Sequence, residues 1–313
     1  MADQRAVGPP PPRGPLNGHA GGFALLLAAL WGGNPVAAKA GLDDAPPLRL
    51  GWMRFALGAA VVVVWAAATR QSFRVARSEW APLAGLGLLF SAQIAFMNVG
   101  QDHTTAGHAA VITATFPLWT GLIAHFLVPG DRLSPERVAG TLVAYAGVVV
   151  LFSTALLSEA DGVSVGGDLL MLASAILLGS RQIYLSLSSQ GIAIHKLLLA
   201  QSAVGIATFV VASALTEAEP YVLTGRLALS LLYQGVVVAG FGFIGNTWLL
   251  QRFLPSGVAA MQLTTPFFAV ALGALILGER AGPELLAGAT LVVAGQVISR
   301  RAEFRRALRQ AAA

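Results

Sequence analysis

The sequence lacks cysteine and carries unusually little charge. The absence of cysteine excludes disulfides, thiolate nucleophiles, cysteine-ligated zinc and iron–sulfur clusters. Charged residues make up 11% of the 313 positions, less than half of the roughly 25% found in average soluble domains. Hydrophobic residues make up 56%, and the mean hydropathy is +0.70. This composition argues against a soluble enzyme and favours a protein that lies largely in a membrane.

The sequence contains many long apolar runs. Ten helices of about 21 residues would occupy roughly 210 residues and leave about 100 for tails and loops. The predicted fold is an all-α membrane protein with ten transmembrane helices, at about 21–41, 48–69, 80–100, 106–128, 138–157, 167–188, 195–215, 226–250, 257–278 and 283–299. A cleaved signal peptide is an alternative for the first run, because Ala38-Lys39-Ala40 is similar to a cleavage site.

The distribution of basic residues predicts the orientation of these helices. The net charge is +5, but its placement in short loops beside apolar runs favours the positive-inside rule over nucleic-acid binding. With a cytoplasmic N-terminus, the outer segments hold only Arg49, Arg226 and Arg280. The inner segments hold fourteen basic residues: Arg5, Arg13, Arg70, Arg74, Arg77, Arg132, Arg137, Lys196, Arg252, Arg300, Arg301, Arg305, Arg306 and Arg309. We therefore expect a multi-pass plasma-membrane protein with both termini in the cytoplasm.

The two halves of the chain are similar to each other. The stretch from Gly130 to Gly140 aligns with that from Gly278 to Gly288 at an offset of 148, and the same offset takes Asn98 to Asn246. Chance similarity among helices rich in Ala, Gly and Leu is the alternative explanation. Because each half holds five helices, an odd number, the second copy must enter the membrane with the opposite orientation.

The repeat gives the predicted domain organisation. Residues 1–20 are rich in Pro and Gly and are predicted to be a disordered cytoplasmic tail. Residues 21–157 form the first five-helix repeat and residues 158–300 the second, inverted one. Residues 301–313 form a basic cytoplasmic tail.

Several short motifs resemble those of a known family. The stretch Trp31-Gly32-Gly33-Asn34, with Lys39 eight residues after Trp31, resembles the opening helix of ten-helix members of the drug/metabolite transporter superfamily with two EamA-type domains. Pro46-Pro47 followed by Arg54-Phe55 resembles the second helix of that family, and Gly278-Glu279 resembles the end of its ninth helix. Gly130-Asp131 is the first-half equivalent, with Asp in place of Glu. The resemblance covers about residues 22–300.

The resemblance implies a function in transport. It implies a secondary transporter that moves a small metabolite, such as an amino acid or a drug-like compound, most simply outward, by alternating access between the two repeats. The alternatives are an importer or exchanger, a passive channel and, from another class, a membrane-embedded hydrolase or transferase. The sequence has no HExxH motif, Walker loop or Asp-rich pair, so we expect no enzyme. We expect a central cavity between helices 1, 3, 4, 6, 8 and 9.

Three basic residues within predicted spans are candidates for the substrate site, because a charge in hydrocarbon is costly and often functional. Lys39 and Arg54 lie near the outer ends of helices 1 and 2, and Lys39 can alternatively snorkel to the interface. Arg181 lies about 14 residues into helix 6 and shares a face with Tyr184. A guanidinium there suits a carboxylate or phosphate, although Arg181 can also snorkel to headgroups.

Polar and aromatic residues within the spans complete the predicted site. Trp31 and Asn34 share a face of helix 1 beside Pro35, which interrupts the helical hydrogen bonds. Bridging of helices is the alternative role for the polar members of this set. The remaining candidates are Gln93 and Asn98 on helix 3, Asn246 and Trp248 on helix 8, and Gln262 and Thr265 on helix 9.

The predicted partners are a small-molecule substrate and the lipid bilayer, without nucleic acid. No Asp or Glu falls in the middle of a span, so a carboxylate proton relay at the midplane is not expected. A proton or a counter-substrate is a further candidate partner, and His108 and His125 are the groups available for proton coupling. We expect no metal and no cofactor.

Overall fold

A computed structural model describes residues 13–104, 106–158, 164–277 and 282–311. These residues form ten helical segments and, apart from one isolated bridge between Gly14 and Phe253, no strand pairing. The segments are α1 (Gly18–Gly32 and Asn34–Leu42), α2 (Pro47–Ala68), α3 (Trp80–Asp102, after a 3₁₀ turn over Arg77–Glu79), α4 (Ala106–Thr113 and Phe116–Leu127), α5 (Pro135–Leu151, followed by Ser153–Ser158), α6 (Val165–Ser188), α7 (Ile194–Thr216), α8 (Gly225–Arg252), α9 (Pro255–Met261 and Thr265–Leu277) and α10 (Pro283–Ala311).

Eight helices in the described part of the chain are long and apolar enough to cross a membrane: α1 to α4 and α6 to α9. Within α10, Pro283–Ser299 is a shorter apolar helix. The described residues therefore form a helical membrane protein. The chain begins its first helix at Gly18, earlier than predicted, because the side chain of Asn17 accepts a hydrogen bond from Ala20 N and caps the helix. Before this helix, Gly14 O accepts a hydrogen bond from Leu254 N at 3.0 Å.

Local sequence signals start several of the helices. Pro47, Pro135, Pro255 and Pro283 each occupy the first helical position, where the missing N–H of proline has no helical partner to lose. Hydroxyl side chains cap three starts: Ser134 at α5, Ser164 at α6 and Thr224 at α8.

Four segments are irregular in their middle. The helix α1 breaks at Gly33, α4 breaks between Thr113 and Phe116, and α9 narrows into a 3₁₀ turn over Gln262–Thr264. A proline follows each break, at positions 35, 117 and 266, and removes an N–H from the helical ladder. In α8 the backbone is a π-helix over Leu232–Gly242. Interruptions of this kind are common at functional sites.

The segments pack in a consistent pattern of pairs. The helices α2 and α7 lie side by side, α3 packs between α6 and α7, and α8 packs against α2. The helices α5 and α10 pack tightly against each other, away from the centre of the bundle. The space that remains lies among the other eight segments, and the broken helices surround it.

Candidate functional site

Two adjoining cavities occupy the centre of the bundle. The larger has a volume of about 310 Å³ and the smaller about 170 Å³, and Trp31, Leu178, Arg181 and Phe243 line both. The larger is otherwise lined by Asn34, Arg54, Phe55, Phe90, Ile94, Thr113, Gln234, Val238 and Ala239. The smaller is otherwise lined by Gln182, Leu185, Leu198, Gln201, Asn246, Thr247 and Gln262. The combined space suits a small molecule with both apolar and polar groups.

The breaks in α1, α4 and α9 lie beside these cavities. In an α-helix a proline removes the donor for the carbonyl four residues before it. For Pro35, Pro117 and Pro266 those carbonyls belong to Trp31, Thr113 and Gln262, and all three residues line a cavity. The same prolines that interrupt the helices therefore place irregular backbone beside the central space, as transporter helices commonly do.

Two arginine side chains lie in the cavities. Arg54 Nη1 donates to Gln234 Oε1 at 3.2 Å, and Arg181 Nη1 is 3.4 Å from Gln201 Oε1. The Nε atom of each arginine is buried and has no hydrogen-bond partner. Neither guanidinium forms an ion pair with an acid in the described part of the chain. Both groups are therefore available to a ligand.

Three amide side chains from α6, α8 and α9 form a ring. Asn246 Nδ2 donates to Gln182 Oε1 at 3.0 Å, and Gln262 Nε2 donates to Asn246 Oδ1 at 3.0 Å. The ring closes through Gln182 Nε2, which is 3.4 Å from Gln262 Oε1. Because all three residues line the smaller cavity, the ring holds three helices together at its wall.

The π-helix in α8 brings Gln234 to the larger cavity. Gln234 is fully buried, and its Nε2 donates to Ser230 Oγ at 2.8 Å while its Oε1 accepts from Arg54. These two hydrogen bonds fix the amide and therefore the position of the Arg54 guanidinium that it contacts.

Six of the twelve predicted site residues line the cavities: Trp31, Asn34, Arg54, Arg181, Asn246 and Gln262. The other six do not. Gln93 donates to Ser174 Oγ and joins α3 to α6, and Tyr184 donates to Pro82 O. Lys39 is exposed, Asn98 is half-buried, Trp248 packs edge-to-face on Phe23, and the hydroxyl of Thr265 is buried without a partner.

Sequence reasoning missed Gln182, Gln201 and the aromatic side chains Phe55, Phe90 and Phe243. It also omitted α2 and α7 from the cavity wall, although both contribute to it. An amide in an apolar run was the available signal for Gln182 and Gln201. Apolar aromatics carried no such signal, because a lipid-facing Phe and a cavity-facing Phe look alike in a sequence.

The predicted titratable groups lie outside both cavities. His108 Nδ1 is 3.1 Å from Asp168 Oδ2, and His125 Nδ1 accepts from Leu133 N at 3.2 Å. In the described ranges, no group of three His, Cys, Asp or Glu residues is arranged to hold a metal ion. Gly278 and Glu279, which carried part of the family resemblance, lie outside the described residues.

Two ion pairs lie near opposite ends of α2: one joins the segment before α2 to the start of α8, and the other joins the turn before α3 to the first turn of α7. At one end Asp44, just before α2, accepts from Arg226 Nη2 at 2.9 Å and from Thr224 Oγ1 at 2.7 Å. These bonds lower the pKa of Asp44 to about 2, so its carboxylate is charged at physiological pH. Past the other end of α2, Glu79 accepts from Lys196 Nζ at 2.8 Å, and Lys196 lies in the first turn of α7.

Comparison with known proteins places these features in a family context. The model of the EamA-like transporter family matches the chain over residues 20–153 and again over 165–301. A Salmonella typhimurium protein described as "Probable amino-acid metabolite efflux pump" is 30% identical over 292 residues, covering 89% of this chain and 94% of the relative. The "Aromatic amino acid exporter YddG" of Ancylobacter novellus is 32% identical over 131 residues, covering 42% of this chain and 44% of the relative. A solved crystal structure shares the fold, with a TM-score of 0.77 and 20% identity, over 90% of this chain and 98% of that one.

Proposed function

From the premise that the chain belongs to the EamA-like transporter family, in the drug/metabolite transporter superfamily, we propose that it exports a small metabolite by alternating access between two inverted repeats. The protein is a multi-pass membrane transporter and not an enzyme. The proposal includes ten membrane spans, with the second repeat inverted relative to the first.

The packing of α5 on α10 is the observation that carries the inverted-repeat proposal. A Cβ atom built on Gly147 would meet Gly288 O at 2.6 Å, and one built on Gly140 would meet Gly295 O at 2.7 Å. An offset of 148 makes Gly288 the equivalent of Gly140 and Gly295 the equivalent of Gly147. Gly147 therefore contacts the equivalent of Gly140, and Gly140 contacts the equivalent of Gly147. Such reciprocal contacts are those of a two-fold axis. From Gly140 to Gly147 along α5, the contacted residue on α10 changes from Gly295 back to Gly288. The two equivalent helices therefore run in opposite directions.

The ion pairs Asp44–Arg226 and Glu79–Lys196 support the same symmetry. The offset carries Glu79 to position 227, beside Arg226, and carries Asp44 to position 192, near Lys196. The contact before α2 therefore corresponds to the contact at the start of α7. The 22 residues of α2 rise about 33 Å, so the two contacts lie at opposite ends of the bundle. An ion pair at each end is suited to a carrier that opens one end at a time.

The relatives support export and an organic substrate. They are described as an efflux pump for amino-acid metabolites and as an exporter of aromatic amino acids. The excess of basic residues in alternate loops supports a plasma-membrane location with both termini cytoplasmic. We assign substrate contact to the six cavity-lining residues identified above, and contacts between or outside the helices to Lys39, Gln93, Asn98, Tyr184, Trp248 and Thr265. Cells that express the protein should accumulate less substrate. Greater accumulation would favour the importer.

Reversible cross-links at the two ends test alternating access. The chain has no native thiol, so the pairs Asp44→Cys with Arg226→Cys and Glu79→Cys with Lys196→Cys introduce the only cysteines. A short thiol-reactive linker across either pair should abolish counterflow of radiolabelled substrate in proteoliposomes, because a carrier must open each end in turn. Cleavage of the linker by a reductant should restore the flux.

The four single-cysteine variants treated with the same linker serve as controls and should keep their flux. Flux that persists with either end cross-linked would contradict alternating access. Flux that is neither saturable nor capable of counterflow would favour the passive channel instead.

Proton coupling is expected to be weak. The residues lining the described cavities include no His, Asp or Glu, so no lining side chain titrates near neutral pH. Counterflow should therefore be unchanged when a pH gradient of two units is imposed across the proteoliposome membrane. A gradient-driven flux would contradict this expectation, and its loss in the double variant His108→Gln with His125→Gln would assign the coupling to these histidines.

A further inference from the structure

Resting on the proposed transport function, we infer that the central cavity selects organic anions that carry no ammonium group over zwitterions of the same shape. The cavity surrounds its ligand with two guanidinium groups and no carboxylate. It therefore favours a carboxylate or phosphate attached to an apolar body.

The charge of the cavity wall is the first argument. Among the residues that line the two cavities, Arg54 and Arg181 are charged and there is no Asp or Glu. Amide oxygens, which carry no net charge, are the hydrogen-bond acceptors that contact them. Two cations in a low-dielectric space are mutually repulsive until an anion enters, because Coulomb interactions grow as the dielectric constant falls.

The unfilled hydrogen-bond capacity of these arginines is the second argument. A guanidinium has five N–H donors and is suited to bidentate contact with a carboxylate or phosphate. In both arginines the Nε–H is buried without a partner, and Arg181 as a whole is only 9% exposed. A buried donor without a partner is costly, so an oxyanion that reaches both Nε and a terminal nitrogen satisfies groups that the protein leaves open.

Two aromatic rings between the arginines provide an apolar surface for the apolar part of the ligand. The Arg54 guanidinium lies 4.8 Å from the Phe55 ring, the Phe55 and Phe90 rings are 5.2 Å apart, and the Arg181 guanidinium lies 5.1 Å from Phe90. A guanidinium thus stands at each end of a pair of edge-to-face rings. A flat or aliphatic body packs on the rings while its anionic group reaches a guanidinium.

A free amino acid fits this site less well. Its ammonium group would approach the same arginines that attract its carboxylate, and the cavity wall has no carboxylate to receive it. The buried Oδ1 of Asn34 has no hydrogen-bond partner, and this neutral acceptor suits a hydroxyl or amide N–H of the ligand. The geometry therefore points to hydroxy, oxo or acylated acids and to phosphate esters.

A series of ligands that share one body isolates the effect of charge. The purified protein in phosphatidylcholine nanodiscs is titrated with 3-phenylpropionate, L-phenylalanine, phenethylamine and 3-phenylpropan-1-ol by calorimetry, followed by the aliphatic pair 4-methylpentanoate and L-leucine. We expect the anion of each set to bind about tenfold or more tightly than its zwitterion. Arg54→Gln and Arg181→Gln should each remove most of that preference, and Arg181→Lys should keep part of it because the charge remains without the fork.

The controls separate this inference from its alternatives. Arg77→Gln, at an exposed residue outside both cavities, should leave the preference unchanged. Nanodiscs containing phosphatidylglycerol test whether a lipid headgroup is the anion: unchanged affinity for 3-phenylpropionate supports a soluble ligand, and competition by the lipid overturns it. Zwitterions that bind as tightly as the anions, or a series in which neither anion binds, also overturn the selectivity.

Counterflow in proteoliposomes distinguishes a failure of the anion selectivity from a failure of the proposed transport function. Flux of L-phenylalanine without flux of the anion would leave the transporter in place and overturn its anion selectivity. Absence of counterflow for every compound of both series would overturn the transport function as well.

Discussion

Replacement of Asp131 by alanine should destabilise the folded protein by about 3–5 kcal/mol, because it breaks a buried ion pair and removes the carboxylate that accepts two hydrogen bonds from Ser256. Asp131 and Arg137 are joined at 2.8 Å, and their side chains are only 1% and 6% exposed. Ser256, in the first turn of α9, completes the cluster: its backbone N donates to Asp131 Oδ2 at 3.1 Å, and its hydroxyl contacts both charged side chains. The cluster thus links the loop before α5 to α9.

Thermal or denaturant unfolding in detergent measures this effect. Asp102→Ala, at an exposed acid, is the control and should change the free energy of unfolding by less than about 0.5 kcal/mol. The double variant Asp131→Ala with Arg137→Met should be less destabilised than Asp131→Ala alone, since the buried charge that Asp131 faces is removed as well. An Asp131→Ala protein as stable as the Asp102→Ala control would contradict the structural role of the cluster.

The helical segments were largely predictable from the sequence, because long apolar runs report burial in lipid directly. The break in α1 was also predictable, since Pro35 removes a donor wherever the helix lies. The predictions placed Trp31, Asn34 and Arg181 on a cavity, and the structure has them on its wall. Their role in substrate binding stays a prediction.

The contacts of individual side chains were not predictable in the same way. Tyr184 lies three residues after Arg181, yet it donates to Pro82 O while Arg181 lines the cavity. When other helices surround a helix on most sides, the helical periodicity does not predict which of them a given side chain contacts. The π-helix over Leu232–Gly242 likewise has no local sequence signal and depends on packing around α8.

The pairing of equivalent helices gives the second large expected effect. Replacement of Gly147 by leucine should destabilise the protein by about 3 kcal/mol or more, because the new side chain must push α5 away from α10. A Cβ at this position would lie 2.6 Å from Gly288 O and 2.8 Å from Val292 N. Both are backbone atoms of a helix, so they cannot rotate aside as a flexible side chain does.

The two-fold symmetry requires the same result on the other helix. Gly295→Leu, at the position equivalent to Gly147, should destabilise the protein by a similar amount because its Cβ would collide with the backbone of α5 at Gly140 and Ala144. Ala146→Leu and Ala294→Leu are matched controls, since these alanines precede the two glycines and are exposed. Thermal unfolding of the four variants in one detergent gives the comparison. A tolerated Gly147→Leu, or a large effect at only one glycine, would contradict a close and reciprocal α5–α10 contact. Two equal losses beside two stable controls are the result expected of helices that meet across a two-fold axis.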